Sequence, residues 1–172
     1  RVRARTNPLA RWFALRCALM GHVLAAMSWT DVGDLLAGGA TAVLPIGAAA
    51  KEHGPHLPMQ TDYLTAEALG ARLAARANVL VWPTVGYGHY PAFRDYPGST
   101  SLPEEVFQEV VHALLEDLAR HGPSAILVLN TGISTIRGVD GALDYVDIAR
   151  AQHVYRCERY LAAAAEICEQ ER

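Results

Sequence analysis

Residues 41–62 read TAVLPIGAAAKEHGPHLPMQTD, and the two halves of this stretch follow different rules. Thr41 to Ile46 is a short, unbroken apolar run, the pattern of a strand covered on both faces. From Gly47 the chain turns polar. Lys51, Glu52, His53, His56 and Asp62 crowd a loop broken by Gly54 and Pro55. A buried strand that empties into a polar loop and then a helix is the opening unit of an α/β chain.

The flanking sequence repeats the unit. Thr61 to Ala77 has helical spacing in Leu64, Ala68, Leu69 and Leu73, and Val79 to Val85 predicts a second strand. Pro103 suits the first position of a helix that carries Val106, Phe107, Val110, Val111, Leu114, Leu115 and Leu118 and ends at His121-Gly122. Ser124 to Asn130 predicts a third strand. Val139 to Ala151 and Tyr155 to Glu169 read as further helices. Upstream, Thr30-Asp31 is the expected cap of a helix from Val32 to Ala37 that stops at Gly38-Gly39. Alternating strands and helices imply a mainly parallel sheet. In such sheets ligands gather at the carboxyl ends of the strands, here after Ile46, Val85 and Asn130.

Composition narrows the function classes. The chain has 172 residues, 51% hydrophobic and 19% charged, so it can bury a real core and is not a disordered segment. Arg1, Arg3, Arg5, Arg11 and Arg16 precede the first acidic residue, Asp31. The other ten of the 15 basic side chains face all 18 acidic ones. That acidic body does not suit nucleic-acid binding. The apolar run Cys17 to Met27 is too short to span a membrane. Residues 1–27 therefore read as a leader: mis-started, signal-like or a first helix. Residues 28–172 read as one domain. The expected location is the cytoplasm, or export if the leader is a signal. Cys17, Cys157 and Cys168 have neither disulfide-framework nor zinc-finger spacing.

The loop after the first strand admits two readings. Glu52, His53, His56 and Asp62 offer the mixed imidazole and carboxylate donors that zinc or manganese takes. Equally, Asp62 at the start of a helix can cap backbone amides, which makes the loop a structural polar turn. Gly54-Pro55 turns the chain in either case, so that it can fold back and bring Asp62 near Glu52 and His53.

The segment Glu52-His53-Gly54-Pro55-His56-Leu57-Pro58 followed by Thr61-Asp62 resembles the hallmark of the creatininase family of metal-dependent amidohydrolases. Trp29-Thr30-Asp31, Val43-Leu44-Pro45-Ile46-Gly47 and Pro97-Gly98-Ser99-Thr100-Ser101-Leu102 are similar to the family too. The resemblance runs from about Ser28 to Gly138. It implies a three-layer α/β/α sandwich with a mainly parallel sheet. It also implies zinc or manganese at the strand ends and hydrolysis of a C–N bond in a small cyclic or linear amide. His53 matches the family's ligand histidine, and Asp62 the aspartate that bridges two ions. A homo-oligomer is also implied, with neither nucleic acid nor membrane as partner.

Three departures from the pattern matter. The family's first ligand is a glutamate two residues before the histidine, and Lys51, the sole lysine, stands there. The expected remedy is a one-residue bulge that brings Glu52 in as a ligand beside His53 and Asp62. The alternative keeps the register, and the Lys51 ammonium then substitutes for a cation's charge or abolishes binding. After Asn130 the family carries a second histidine and a second acid, where this chain has Gly132 and Ser134. Family members also continue into another strand and a His-Ala-x-x-x-Glu-Thr-Ser type segment, so a truncated chain, or a partner subunit over the open edge, is expected. No catalytic residue is assigned. His56, Tyr87, His89, Ser99, Thr131 and Ser134 are the candidate substrate contacts. The competing function is a non-catalytic member that keeps the fold to bind a small molecule or a partner.

Overall fold

The computed structural model describes residues 22–144 and 154–156. Four strands form its sheet: β1 (Thr41–Ile46), β2 (Val79–Val81), β3 (Ile126–Asn130) and β4 (Val154–Arg156). Their order is β2-β1-β3-β4, and every pairing is parallel. Among the described residues, α1 (Trp29–Ala37) precedes β1, and α2 (Thr61–Ala74), α3 (Glu104–Arg120) and α4 (Ile136–Asp144) lie in the successive connections between strands.

Alternation along the central strand fixes the layers. Ala42, Leu44 and Ile46 pack with Phe107, Val111 and Leu115 of α3 and with Val139 and Ala142 of α4. Val43 points the other way and packs with Val79, Val81, Leu129 and Ala74, against Leu69 and Leu73 of α2. Successive side chains of a strand leave on opposite faces, so β1 buries both of its faces under helices. The result is the three-layer α/β/α sandwich expected from sequence. Pro45 sits mid-sheet without harm. Its carbonyl accepts from Val85 N, so its missing N–H falls on the β2 side, beyond the point where β2 ends.

Several boundaries differ from the sequence reading. Ser28, not Thr30-Asp31, begins α1: its Oγ accepts from Asp31 N at 3.3 Å and donates to the Asp31 carboxylate at 2.6 Å. Glu104, rather than Pro103, is the first residue of α3. The second strand stops at Val81 rather than Val85: Trp82 N still donates to Val43 O, but the next ladder position on β1 is Pro45, which has no N–H. Only an isolated bridge pairs Val85 with Ile46. The first segment of α4 begins earlier than expected, at Ile136. Tyr155 and Arg156, expected to open a last helix, lie in β4. The rest of that helix, and residues 1–21 of the leader, lie outside the described residues. The leader's end joins the sheet: Val81 N donates to His22 O at 2.8 Å, and Val23 bridges to Val81. Among the described residues, no helix is long and apolar enough to cross a membrane.

The chain leaves β1 for β2 on one side, then returns to β3 on the other. The order therefore reverses between β1 and β3, whose carboxyl ends stand in register at Ile46 and Asn130. A crevice at such a switch point is where open α/β sheets bind ligands.

Candidate functional site

Backbone geometry closes the loop after β1. Gly54 takes a φ of +82°, a region that suits glycine, and the returning chain lets Lys51 N donate to Met59 O at 3.2 Å. Gly47 lets the first turn of α2 press onto the end of β1, since a β-carbon there would lie 2.7 Å from the Asp62 carbonyl carbon. Thr131 Oγ1 locks this approach, 2.8 Å from Asp62 O and 3.1 Å from Ile46 O.

These contacts deliver three charged or titratable side chains to one point. Lys51 Nζ lies 2.5 Å from Asp62 Oδ2, and His53 Nε2 lies 3.0 Å from Asp62 Oδ1. The side chains are 8%, 12% and 14% accessible for Lys51, His53 and Asp62, so this ion pair is largely shielded from solvent. The Phe93 ring centroid is 5.3 Å from the ammonium, which adds a cation–π contact. Asp62 therefore does not cap its helix. Gln60 occupies the cap position, without a side-chain cap bond, and the Asp62 carboxylate serves Lys51 and His53. At the start of α2 that negative charge also complements the helix dipole.

The histidine ring is oriented for use as a donor. Its Nδ1 lies 2.8 Å from Lys51 O, and a carbonyl only accepts, so Nδ1 carries the proton. Nε2 faces Asp62 Oδ1, 3.0 Å away. Asp62 Oδ1 is within ion-pair reach but lacks hydrogen-bond alignment, and Nε2 is buried without a hydrogen-bond partner. A backbone carbonyl that fixes the far nitrogen is the usual outer support of a metal-binding histidine. Imidazole nitrogen beside carboxylate oxygen fits one zinc or manganese ion.

The third expected ligand is elsewhere. The Glu52 carboxylate accepts from Gly54 N, while Glu52 N donates to Ser99 Oγ at 3.0 Å. Lys51, not Glu52, takes the inner position beside Asp62. Among the described residues no three His, Cys, Asp or Glu side chains gather around one point. The loop after β3 is folded on itself. Asn130 Oδ1 accepts from Gly132 N at 3.3 Å and lies 2.7 Å from Thr135 Oγ1, while Thr131 N donates to Ile46 O. Those amides are therefore already engaged. A side chain at position 132 would start 2.9 Å from Thr135 Oγ1 and 3.4 Å from Asp62 Oδ2. Position 132 thus faces Asp62, and glycine leaves that side bare. The Ser134 hydroxyl is buried and has no hydrogen-bond partner.

The other candidates divide. His56 and Tyr87 are exposed, and Ser99 serves the Glu52 amide. His89 braces its loop, with Nδ1 2.9 Å from Leu102 O and Nε2 3.9 Å from Glu104. Two residues that carry the site were not singled out from sequence. Tyr90, fully buried, donates its hydroxyl to Ala50 O at 3.2 Å and steadies the residue before Lys51. Phe93 walls the lysine. Both lie in an aromatic loop whose composition alone does not say which ring turns inward.

A family model described as creatininase, creatinine amidohydrolase, matches residues 25–165. The chain belongs to the creatininase family. Creatinine amidohydrolase of Pseudomonas putida is 32% identical over 127 residues, 68% of this chain and 48% of the relative. The chain thus spans about half the length of that curated creatininase. Among solved structures, a mutant creatininase of Zn-Zn type has a TM-score of 0.74 at 24% identity, covering 81% of this chain and 58% of that one. A manganese creatininase has a TM-score of 0.73 at 24% identity, covering 80% and 58%. These two likenesses establish the creatininase fold.

Proposed function

We propose that this creatininase-family chain hydrolyses a C–N bond in a small cyclic or linear amide, with one divalent zinc or manganese ion held by His53 and Asp62. The observation that carries the reading is the His53 ring. Its Nδ1 is tied to Lys51 O, and its buried Nε2 stands 3.0 Å from Asp62 Oδ1, so a nitrogen and an oxygen face one point. When bound, the ion would supply Lewis acidity to the amide carbonyl.

The chain's own residues do the rest. Lys51 holds Asp62 from the other oxygen and fixes the plane of the carboxylate. Tyr90 anchors Ala50, and Thr131 anchors the Asp62 backbone, so the donors stay in place. Half-buried surroundings limit water around the ion pair, which strengthens electrostatic contacts with a bound amide. The homo-oligomer that the family resemblance implies is part of this reading.

The test is turnover of creatinine, other lactams and formamides by zinc- or manganese-loaded protein. Hydrolysis that EDTA abolishes, and that falls at least a hundredfold in His53→Ala and Asp62→Asn, is expected. The second reading, a non-catalytic binder, draws on Gly132 and Ser134, which leave the β3 side without donors. Loaded protein that binds an amide calorimetrically yet turns over none of the panel would establish that reading instead.

A further inference from the structure

We propose that the Lys51 ammonium is a built-in cation that occupies one oxygen of Asp62 and restricts the site to a single divalent ion, on the His53 side. The inference rests on the reading of His53 and Asp62 as donors, but the exclusion of an ion from Oδ2 is testable without it.

The argument begins with the two oxygens. Oδ2 has Lys51 Nζ at 2.5 Å, and Oδ1 has His53 Nε2 at 3.0 Å. A divalent ion bonded to Oδ2 would sit about 2.0–2.2 Å from it. Such an ion would share that oxygen with the ammonium, two like charges at close quarters in a shielded site. The lysine cannot readily swing aside. Its backbone N donates to Met59 O, and its carbonyl accepts from His53 Nδ1. Its side chain is 8% accessible, with the Phe93 ring against it.

Among the described residues no other donor serves the Oδ2 side. Position 132, whose β-carbon would be 3.4 Å from Oδ2, is glycine, and Asn130 and Thr135 are turned onto each other. An ion there would have only a carboxylate oxygen already held by an ammonium. On the Oδ1 side stands the buried Nε2 of His53, 3.0 Å from that oxygen and of a type that bonds zinc. The site is therefore asymmetric: a fixed monovalent cation on one oxygen, and room for an exchangeable divalent one at the other. The lysine also lowers the net charge an incoming ion must neutralise, so ion affinity is weaker than for a site with a carboxylate at position 51.

Zinc alone is the probe. Zinc content and affinity are measured by equilibrium dialysis and calorimetry on the full chain. Binding that survives in the His53→Ala/Asp62→Asn double variant is subtracted. The wild type should bind no more than one equivalent. Lys51→Glu should bind zinc at least tenfold more tightly, lose thermal stability in EDTA and regain it with zinc. Lys51→Met, which removes the charge without adding a donor, should show a smaller gain and serves if Lys51→Glu does not fold. Two zinc ions per wild-type chain, or equal affinity across wild type, Lys51→Met and Lys51→Glu, would overturn the proposal. No zinc in the wild type with one equivalent in Lys51→Glu would uphold the lysine's role while ending the metal-dependent reading above.

Discussion

Asp62 is where the chemistry of single residues decides most. Its carboxylate balances a buried ammonium, so the two changes that break the pair are unequal. Asp62→Ala strands the Lys51 charge in a shielded site and should cost about 3–5 kcal/mol. Lys51→Met removes the charge and keeps the packing against Phe93, and Asp62 retains His53. Its cost should be well below that of Asp62→Ala, and the double variant should recover part of the Asp62→Ala loss. Urea unfolding of the three variants measures this. The sequence made Lys51 conspicuous as the only lysine, but not its partner. Whether Lys51 or Glu52 points inward depends on where the backbone puts the turn, and Glu52 is drawn off by the amide of Gly54, a contact two residues away. Spacing alone does not rank two neighbouring polar residues that leave an extended segment on opposite sides.

At the scale of elements, the interface of α3 and α4 depends on a small residue. A β-carbon at Gly138 would lie 2.8 Å from Phe107 Cε1, and that ring is fully buried. Replacing a mid-helix glycine gains up to about 1 kcal/mol in helix propensity. Overpacking a closed core costs about 1–3 kcal/mol. The clash wins, so Gly138→Ala should lower the melting temperature, and adding Phe107→Leu should restore part of it. Differential scanning calorimetry reads both. Elements were legible in sequence where period and length agreed, as in β1 and α3. They were less legible where a local breaker competed with an apolar run. Pro45 of β1, without an N–H to offer, cuts short the partner strand that VLVWPTV suggests, and Ser28 starts α1 before the residues whose types looked like caps. Tyr155 misled for another reason: its surroundings have helical composition, whereas pairing with β3 makes that point a strand, a tertiary effect that local propensity does not contain.

For the molecule as a whole, alkaline stability should follow Tyr90. Burial, above all, pushes its phenol above the ordinary value. The Gly88 backbone hydrogen bond opposes this, and Tyr87 and Asp62 add to it. A raised folded value means the folded state holds the proton more tightly. The contribution is complete below about pH 10, where the unfolded phenol also keeps its proton, and is lost as pH climbs from there through the folded value. Tyr90→Phe should flatten that alkaline decline while lowering neutral-pH stability by about 0.5–1.5 kcal/mol through the lost bond to Ala50. Chemical denaturation between pH 7 and 11 gives both numbers.

The parallel sheet sets a schedule for synthesis. Its central strand is made early, and Ala42 can pair with Leu80 of β2, yet it finds its β3 neighbour only when Ile126 has been added. At about 5–20 residues per second, roughly 4–17 s separate those two moments on a ribosome. For that interval TAVLPI lacks its β3 partner, and α4, which starts at Ile136, has not yet been made to complete its cover. The segment that organises the finished protein is thus the one most open to chaperone capture, or to mispairing between nascent chains, while the protein is being made.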